Sequence, residues 1–448
     1  MSDIEGKKLL ILGGAPMWVD IVKAAHALGV HSTVVDWHKD RRLSPAKLLA
    51  DSSYDISIFD VDALLEVISK DKIDGVLTGY TDIVLEPYVA LCHRAGLWCY
   101  GTPDQFTQLT DKSRFKELCK ICSVPIIDGI TVDCENLEEA YSYSDYPLVI
   151  KPSDSCGARG IRLVKNRNEL SQSIDYAAIY SKSKRYIIEQ FLDHKMEFMA
   201  CYTICDGEIV LSALCDRFKS YEIPGFSAVP LCQYFPSIHI DRYLSEVDES
   251  VRRLANYIEL KNCYLSIQGF VDSDRFYVNE AGFRLGGGQF YNFTEYVNGT
   301  NSLKRLIRYA LTGRMLSRDD SLTFDNSRFD KVCGTVFVNA MPGVIHAIDG
   351  LDVIAEENPE VIHVMQQAQP GDRIESTGSL NHVIARIKIV AVDERNFAEV
   401  VRRVMARCRV TDSEGNSMLM KPLAFNADNY PLDGSSNEPI SFSEKELL

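Results

Sequence analysis

The first hundred residues alternate short apolar runs with amphipathic stretches, and this alternation limits the possible folds more than any other feature. "KLLILGG", "VDIVKAAHALG", "HSTVVDW", "ALLEVISKD", "DGVLTG", "VALCHRAG" and "WCYG" follow one another as strand, helix, strand, helix, strand, helix and strand. Strands joined by helices build an open parallel sheet covered on its faces. The spacing predicts a Rossmann-like domain over residues 1–105. Its first turn, "GGAPMW", lacks the G-x-G-x-x-G spacing that brings backbone up to a pyrophosphate, so its glycines are expected to serve a tight turn. An NAD site, with Asp36 on the ribose, is the alternative.

The pattern changes near residue 105. "TPDQFTQLTDKSRFKELCKICSV" reads as a capped helix pair. "YPLVIKP" then opens a largely antiparallel sheet that runs through "RYIIEQFL", "MEFMACYTICDGEIVLSALCDRF" and "YLSIQGFVDSDRFYVNEAGFRLGGG", with hairpin turns at "CDGEI" and "DSDRF". Residues 106–314 are thus expected to form an α+β domain. Residues 315–448 are expected to form a small β-rich unit closed by one helix, "ERNFAEVVRRVMARCRV", with a polar tail after it. The fold class is therefore α/β followed by α+β.

A net charge of −15 argues against nonspecific nucleic-acid binding, which needs clustered Lys and Arg. No apolar run reaches the roughly 18 residues of a membrane span, and "MSDIEGKK" lacks a secretory apolar segment, so a soluble, cytoplasmic protein is expected. The thirteen cysteines are scattered. The closest pairs, Cys119/Cys122 and Cys201/Cys205, fall inside amphipathic or strand-like segments, which predicts reduced, mostly buried thiols rather than a metal or redox centre. Small-molecule chemistry remains.

The stretch "YPLVIKPSDSCGARGIRLV", residues 146–164, carries the first chemical signal. Alternation puts Val149 and Lys151 on one strand face, and a lysine at a strand end must find an anion, either a structural carboxylate or a ligand. The following "SDSCGARG" offers hydroxyls, backbone N–H groups and two glycines, including Ser155 and Gly157, that can close over a polyphosphate. No G-K-[ST] follows, so this is not a Walker A loop.

The order of these motifs resembles the ATP-grasp superfamily, whose members include amino-acid ligases, carbamoyl-phosphate synthetase large subunits and biotin carboxylases. The resemblance covers roughly residues 5 to 415. It implies a pre-ATP-grasp domain, an ATP-grasp domain and a small C-terminal domain, with ATP and Mg²⁺ as cofactors. By resemblance, Lys112 in "DK" and Lys151 in "IKP" contact ATP. In "YIIEQFLDHKMEF", Glu189, Gln190, Phe191 and Leu192 hold adenine and Glu197 holds the ribose. The metal hairpin implies Gln268 and Glu280 as magnesium ligands and Arg284 as the group that steadies a phosphate or acyl phosphate.

One departure stands out in "E-x-N-x-R", where Gly282 replaces the family's asparagine. Asn279 lies beside the glutamate, but strand alternation aims it at the opposite face unless a bulge intervenes. The metal site is therefore expected to be incomplete.

The resemblance implies an ATP-dependent carboxylate–amine ligase that works through an acyl phosphate, with a small carboxylate and an amine as substrates and a homodimer as the assembly. A bicarbonate-using carboxylase or carbamoyl-phosphate-type enzyme is an alternative, although no biotin-acceptor "MKM" is present. A non-catalytic ATP sensor is another, and Gly282 is its support. Candidate substrate residues are Tyr80, Asp82 and Glu86 in "TGYTDIVLEP", at the carboxyl end of a parallel strand. Arg217 and the aromatic "GGQFYNF" are further candidates, each with helix capping or core packing as the competing role.

Overall fold

The computed structural model describes residues 3–133, 140, 142, 145–155, 160–192, 196–220, 229–272, 275–317, 325–375 and 379–432. Residues 156–159 of the "SDSCGARG" loop, Gly157 among them, and the last sixteen residues lie outside them.

Near the amino terminus, strands β1 (Lys8–Leu12), β2 (His31–Val35), β3 (Ser52–Tyr54) and β4 (Gly75–Thr78) form a parallel sheet in the order β3-β2-β1-β4. Leu9, Leu10, Ile11 and Leu12 are all buried, as a strand covered on both faces requires. Helix α1 (Val19–Ala27) connects β1 to β2, α2 (Val61–Asp71) connects β3 to β4, and α3 (Leu85–Ala95) follows β4. Asp60 caps α2 by accepting the Ala63 N–H, and Lys72 ends it in the left-handed region.

The first turn is built by glycine for steric reasons. Gly13 has φ +107°, and a Cβ there would lie 2.7 Å from the Trp18 ring. Asp36 braces the same turn: its carboxylate accepts the Gly14 N–H at 2.9 Å and the His38 N–H at 2.7 Å. With both oxygens so engaged, Asp36 is a turn residue and not a ribose ligand.

Two capped helices follow. Thr102 and Gln105 form a reciprocal capping box on α4 (Pro103–Thr110), and Asp111 caps α5 (Lys112–Cys122) through the Ser113 and Arg114 N–H groups. The sheet expected to start at "YPLVIKP" is in fact two. Strands β5 (Gly129–Asp133), β6 (Leu148–Pro152), β7 (Arg162–Val164) and β8 (Arg185–Gln190) form a four-stranded antiparallel sheet in the order β5-β8-β6-β7. Helix α6 (Arg167–Ile179) covers one face, and Leu148, Ile150, Val164, Leu170 and Ile174 share a small core of their own.

The second sheet contains β9 (Met196–Cys205), β10 (Glu208–Ser220), β11 (Val229–Phe235), β12 (Cys263–Asp272), β13 (Arg275–Gly282), β14 (Val332–Asn339), β15 (Val361–Gln366) and β16 (Val383–Ala391). Their order is β13-β12-β9-β10-β11-β14-β16-β15. Asp206 and Gly207 both have positive φ, the backbone of a two-residue hairpin turn between β9 and β10. The sheet runs through residue 315: β14 pairs with β11, so the carboxy-terminal strands extend the central sheet.

Two helices, α7 (Tyr291–Asn298) and α8 (Ser302–Thr312), return the chain to the first sheet. A Cβ at Gly75 would fall 2.2 Å from the Ala310 carbonyl, so α8 sits directly on β4. Helix α9 (Glu394–Arg407) covers the carboxy-terminal strands, with Phe397, Val400, Val401 and Val404 buried. No helix among the described residues is long and apolar enough to cross a membrane.

Candidate active site

Between the two antiparallel sheets lies a cavity of about 290 Å³ lined by Lys112, Lys151, Ser155, Glu197, Arg217, Lys219, Gln268, Asn279 and Glu280, with Ile161 and Phe270 among its apolar groups. Lys112 owes its place to the cap before it. Asp111 spends its carboxylate on the α5 amides, and Lys112, first in the helix, donates its backbone N–H to Ser153 O at 2.9 Å and its Nζ to Ser155 O.

Lys151 comes from β6. It pairs with Ile187 in register while Val149 pairs with Glu189, so Lys151 and Glu189 are diagonal neighbours on one face. Lys151 Nζ contacts Glu189 Oε1 and donates to Asn279 Oδ1 at 2.7 Å. On the other side Lys116 Nζ lies 2.6 Å from Glu189 Oε2, an oxygen that makes no aligned hydrogen bond. Burial pushes the Glu189 carboxyl up, but Lys151 and Lys116 outweigh it and hold the group below the usual glutamate range. Glu189 thus stands behind Lys151 rather than on the cavity wall. Gln190 is exposed at the strand end, and Phe191 and Leu192 follow it, half-buried. The Phe191 N–H is taken by Pro147 O at 3.1 Å.

The opposite wall is a charge ladder across adjacent strands. Glu197 on β9 opposes Arg217 on β10, with Nη1 3.0 Å from the carboxylate, and Lys219 contacts the other oxygen. Burial raises the Glu197 carboxyl and the two cations, Lys219 first, more than reverse it. Arg217 also donates to Gln268 Oε1 at 2.7 Å. The oxygen expected on magnesium is therefore already held by a guanidinium.

Gln268 does oppose Glu280 as the hairpin implied, yet the next pair is Gly269 with Val278. Asn279 is the extra residue of a β-bulge, so two residues of β13 face one of β12. As a result Asn279 and Glu280, adjacent in sequence, line the same cavity. Asn279 thus brings an amide beside Glu280, its oxygen accepting from Lys151 Nζ at 2.7 Å. Gly282 itself has no room, since a Cβ would lie 2.6 Å from Ser266 Oγ. A strand read with an unbroken two-residue period hides this arrangement.

Arg284 is not on the wall of this cavity. Its guanidinium forks onto Asp82, Nε to Oδ1 and Nη2 to Oδ2, both at 2.7 Å. Two separately chosen candidates are thus partners of each other. Tyr80 is buried, with its hydroxyl 2.6 Å from that of Tyr291. In "GGQFYNF", Phe290 and Phe293 pack around Phe235, so this segment belongs to the core.

No local pattern signals the buried polar cluster beside that segment. Asp20 accepts from Gln289 Nε2 at 2.8 Å and Tyr291 Oη at 3.0 Å and meets His363 at 3.3 Å. Arg386 and Lys388 on β16 donate to the carbonyls of Gly287 and Gly288. Burial, with Arg386 adding to it and Asp20 opposing, pushes Lys388 down to about 7. Eleven cysteines are described; all are unpaired, and only Cys99 is not fully buried. No group of three His, Cys, Asp or Glu side chains suited to a metal exists among the described residues. A magnesium ion would depend on Glu280, Asn279 and phosphate oxygens, a donor set it accepts.

Residues 111–206 match the family described as "Carbamoyl-phosphate synthase L chain, ATP binding domain". Over nine-tenths of its length the chain superposes on phosphoribosylglycinamide synthetase from Anaerococcus prevotii, covering 91% of this chain and 99% of that one at a TM-score of 0.71 and 18% identity. The fold is that of the ATP-grasp superfamily. Another ATP-grasp structure, the L-amino acid ligase from Bacillus licheniformis, covers 91% and 98% of the two chains, with a TM-score of 0.73 and 18% identity. The biotin carboxylase domain of Hydrogenobacter thermophilus 2-oxoglutarate carboxylase, in complex with MgADP and bicarbonate, covers 92% and 91% at 0.74 and 18%. By sequence, pyruvate carboxylase of Aspergillus terreus is 26% identical over 206 residues, 42% of this chain and 17% of that protein. The carbamoyl phosphate synthase large chain of Pseudomonas syringae pv. tomato is 25% identical over 278 residues, 58% and 26% of the two. The matched stretch is thus only about a quarter or less of these relatives' length.

Proposed function

We propose that this chain is an ATP-dependent carboxylate–amine ligase: ATP activates a small carboxylate as an acyl phosphate, and an amine then displaces phosphate. The observation that carries this reading is the convergence of Lys112, Lys151, Glu197, Asn279 and Glu280 on one cavity between two sheets. Residues 106–314 are its nucleotide-binding unit, with 1–105 and 315–448 framing it.

Four cations line the cavity against two carboxylates on its walls, a balance suited to a triphosphate with a divalent ion. Lys112 and Lys151 hold phosphate oxygens. Lys151 is kept straight by Glu189 behind it, which Lys116 holds from the other side. The Leu192 N–H, which has no partner among the described residues, suits an adenine nitrogen. Glu280 and Asn279 would hold magnesium, which when bound offsets charge on the transferring phosphoryl group.

In the first step a carboxylate oxygen attacks the γ-phosphorus and ADP leaves with the bond electrons. In the second the amine nitrogen attacks the acyl carbon, loses a proton, and expels inorganic phosphate. Neither step needs a protein nucleophile, so positioning and charge stabilisation carry the catalysis. For Arg284 to steady the acyl phosphate, Asp82 must yield one arm of its fork. Sequence similarity to pyruvate carboxylase and carbamoyl phosphate synthase keeps bicarbonate as the second candidate for the carboxylate.

Phosphate release from MgATP, assayed with carboxylates alone and with carboxylate–amine pairs, tests the proposal. Release that requires an organic acid and rises with an amine supports it. Release with bicarbonate alone transfers the site to carboxylation, and nucleotide binding without release under any pair marks a sensor.

A further inference from the structure

Next to the nucleotide cavity is a larger one of about 910 Å³, which shares Lys112, Ser155 and Glu280 with it. It opens at the carboxyl end of β4, where ligands of parallel sheets collect. Its floor is apolar: Leu85 and Val89 of α3, Phe106 and Leu109 of α4, and Phe115 of α5. Ile83 and Phe59, 58% and 45% exposed, stand at its edge as large apolar groups left in water.

The charges around this floor are mostly committed. Asp82 holds Arg284, Arg94 is bound to Asp62 at 2.7 Å, and Asp154 accepts the Ser183 N–H at 2.7 Å. Glu86 on α3 and Lys182 after α6 line the cavity and have no partner among the described residues. Glu86 and Lys182 over an apolar floor are complementary to a zwitterion with an apolar side group. Bicarbonate would leave that floor uncovered.

Resting on the ligase reading, we infer that this cavity binds the carboxylate to be activated, and that the substrate is an apolar α-amino acid such as leucine or phenylalanine. Its ammonium group meets Glu86, its side chain covers the α3–α4 floor, and its carboxylate reaches the shared edge at Lys112, Ser155 and Glu280. There the γ-phosphoryl group of ATP is transferred to a carboxylate oxygen, with ADP as leaving group.

The test is MgATP phosphate release with leucine, phenylalanine, aspartate, bicarbonate and 4-methylpentanoate, together with MgADP titration calorimetry. Thr107, exposed on α4 at the cavity wall, is replaced in Thr107→Trp to fill the space without disturbing the core. Leucine or phenylalanine should stimulate release. Thr107→Trp should raise KM for that acid at least tenfold with MgADP affinity unchanged, and Glu86→Gln should cut the preference for leucine over 4-methylpentanoate about tenfold. Stimulation by aspartate or bicarbonate alone, or an unchanged KM in Thr107→Trp, overturns the inference and leaves the nucleotide site intact. Absence of release with every acid also overturns it, and loss of MgADP binding in the unmodified protein would take the ligase reading with it.

Discussion

Replacing Glu189 by Gln and Lys151 by Met separates the structural from the nucleotide-binding role of one buried triad. Glu189 lies between Lys116 and Lys151, and all three side chains are at most 7% exposed. Removing the carboxylate strands two ammonium groups in a dry interior, and breaking a buried pair costs about 3–5 kcal/mol. Removing the Lys151 ammonium leaves Glu189 with Lys116, so the fold loses less. The nucleotide, however, loses a charge-assisted hydrogen bond worth ~1.5–3 kcal/mol, or roughly 10- to 150-fold in Kd. Glu189→Gln should therefore show the larger loss in urea unfolding followed by circular dichroism, and Lys151→Met the cleaner loss of MgADP affinity by calorimetry. The pH dependence follows from the same pair. Because the folded carboxyl lies below the usual glutamate range, its contribution is complete above the unfolded pKa and disappears as pH falls through the folded value. Glu189→Gln should flatten the acid limb of the stability profile. Lys151→Met that destabilises as much as Glu189→Gln and binds MgADP normally would refute this assignment.

Three further outcomes are expected. Asn279→Ala should slow phosphate release roughly 10- to 100-fold and shift its magnesium dependence upward, as loss of a metal-side oxygen does; an unchanged magnesium dependence would reduce Asn279 to a brace for Lys151. Gly282→Asn, which restores the family's residue, should not raise turnover and should lower the melting temperature, because its Cβ meets Ser266 Oγ at 2.6 Å and overpacking costs about 1–3 kcal/mol; Ser266→Gly in the same chain should recover the loss. Lys388, pushed down to about 7, is neutral in the folded chain but protonated in the unfolded one between that pH and its ordinary value. Stability contributed by this site must then rise with pH above 7, and the difference between the parent and Lys388→Met should shrink over that range; a constant difference would show that Lys388 stays charged.

The alternation of strands and helices exposed β1, β2 and β4, whereas "WCYG" is not a strand and β3, three residues reached through a four-residue helix, is too short to show a pattern. The capped start of α5 was equally readable, since Asp111 and Lys112 act through local geometry. The antiparallel region was harder. β6 and β12 have similar patterns, and local sequence does not say that one joins a four-stranded sheet and the other an eight-stranded one. The same holds for β14, whose pairing with β11 is a contact between residues a hundred positions apart. Lys151 and Glu189 were both readable as candidates, whereas the direct contact between them and the part of Lys116 were not, for these depend on β6 and β8 being neighbours. Arg217 was singled out, but its hold on Gln268 depends on a third strand. Arg386 and Lys388 lie in a strand of ordinary apolar alternation, where nothing local marks a cation whose partner is a carbonyl a hundred residues away.

Position 282 shows how a linear motif can mislead about a site. The motif assigns the magnesium-side oxygens to two residues of one strand separated by one position, which holds only while every residue keeps its partner on β12. In this chain the Ser266 hydroxyl occupies the space beside position 282, so an asparagine there would have to displace it. One residue inserted at 279 compensates: the bulge turns Asn279 toward Glu280 and the cavity without moving the pairing of Gln268 with Glu280 or of Ser266 with Gly282. The absence of a side chain at Gly282 therefore carries no weight as an argument for a non-catalytic protein. The Asn279 amide oxygen accepts from Lys151 Nζ at 2.7 Å, so the magnesium dependence of Asn279→Ala is what separates a metal-side oxygen from a brace for that lysine.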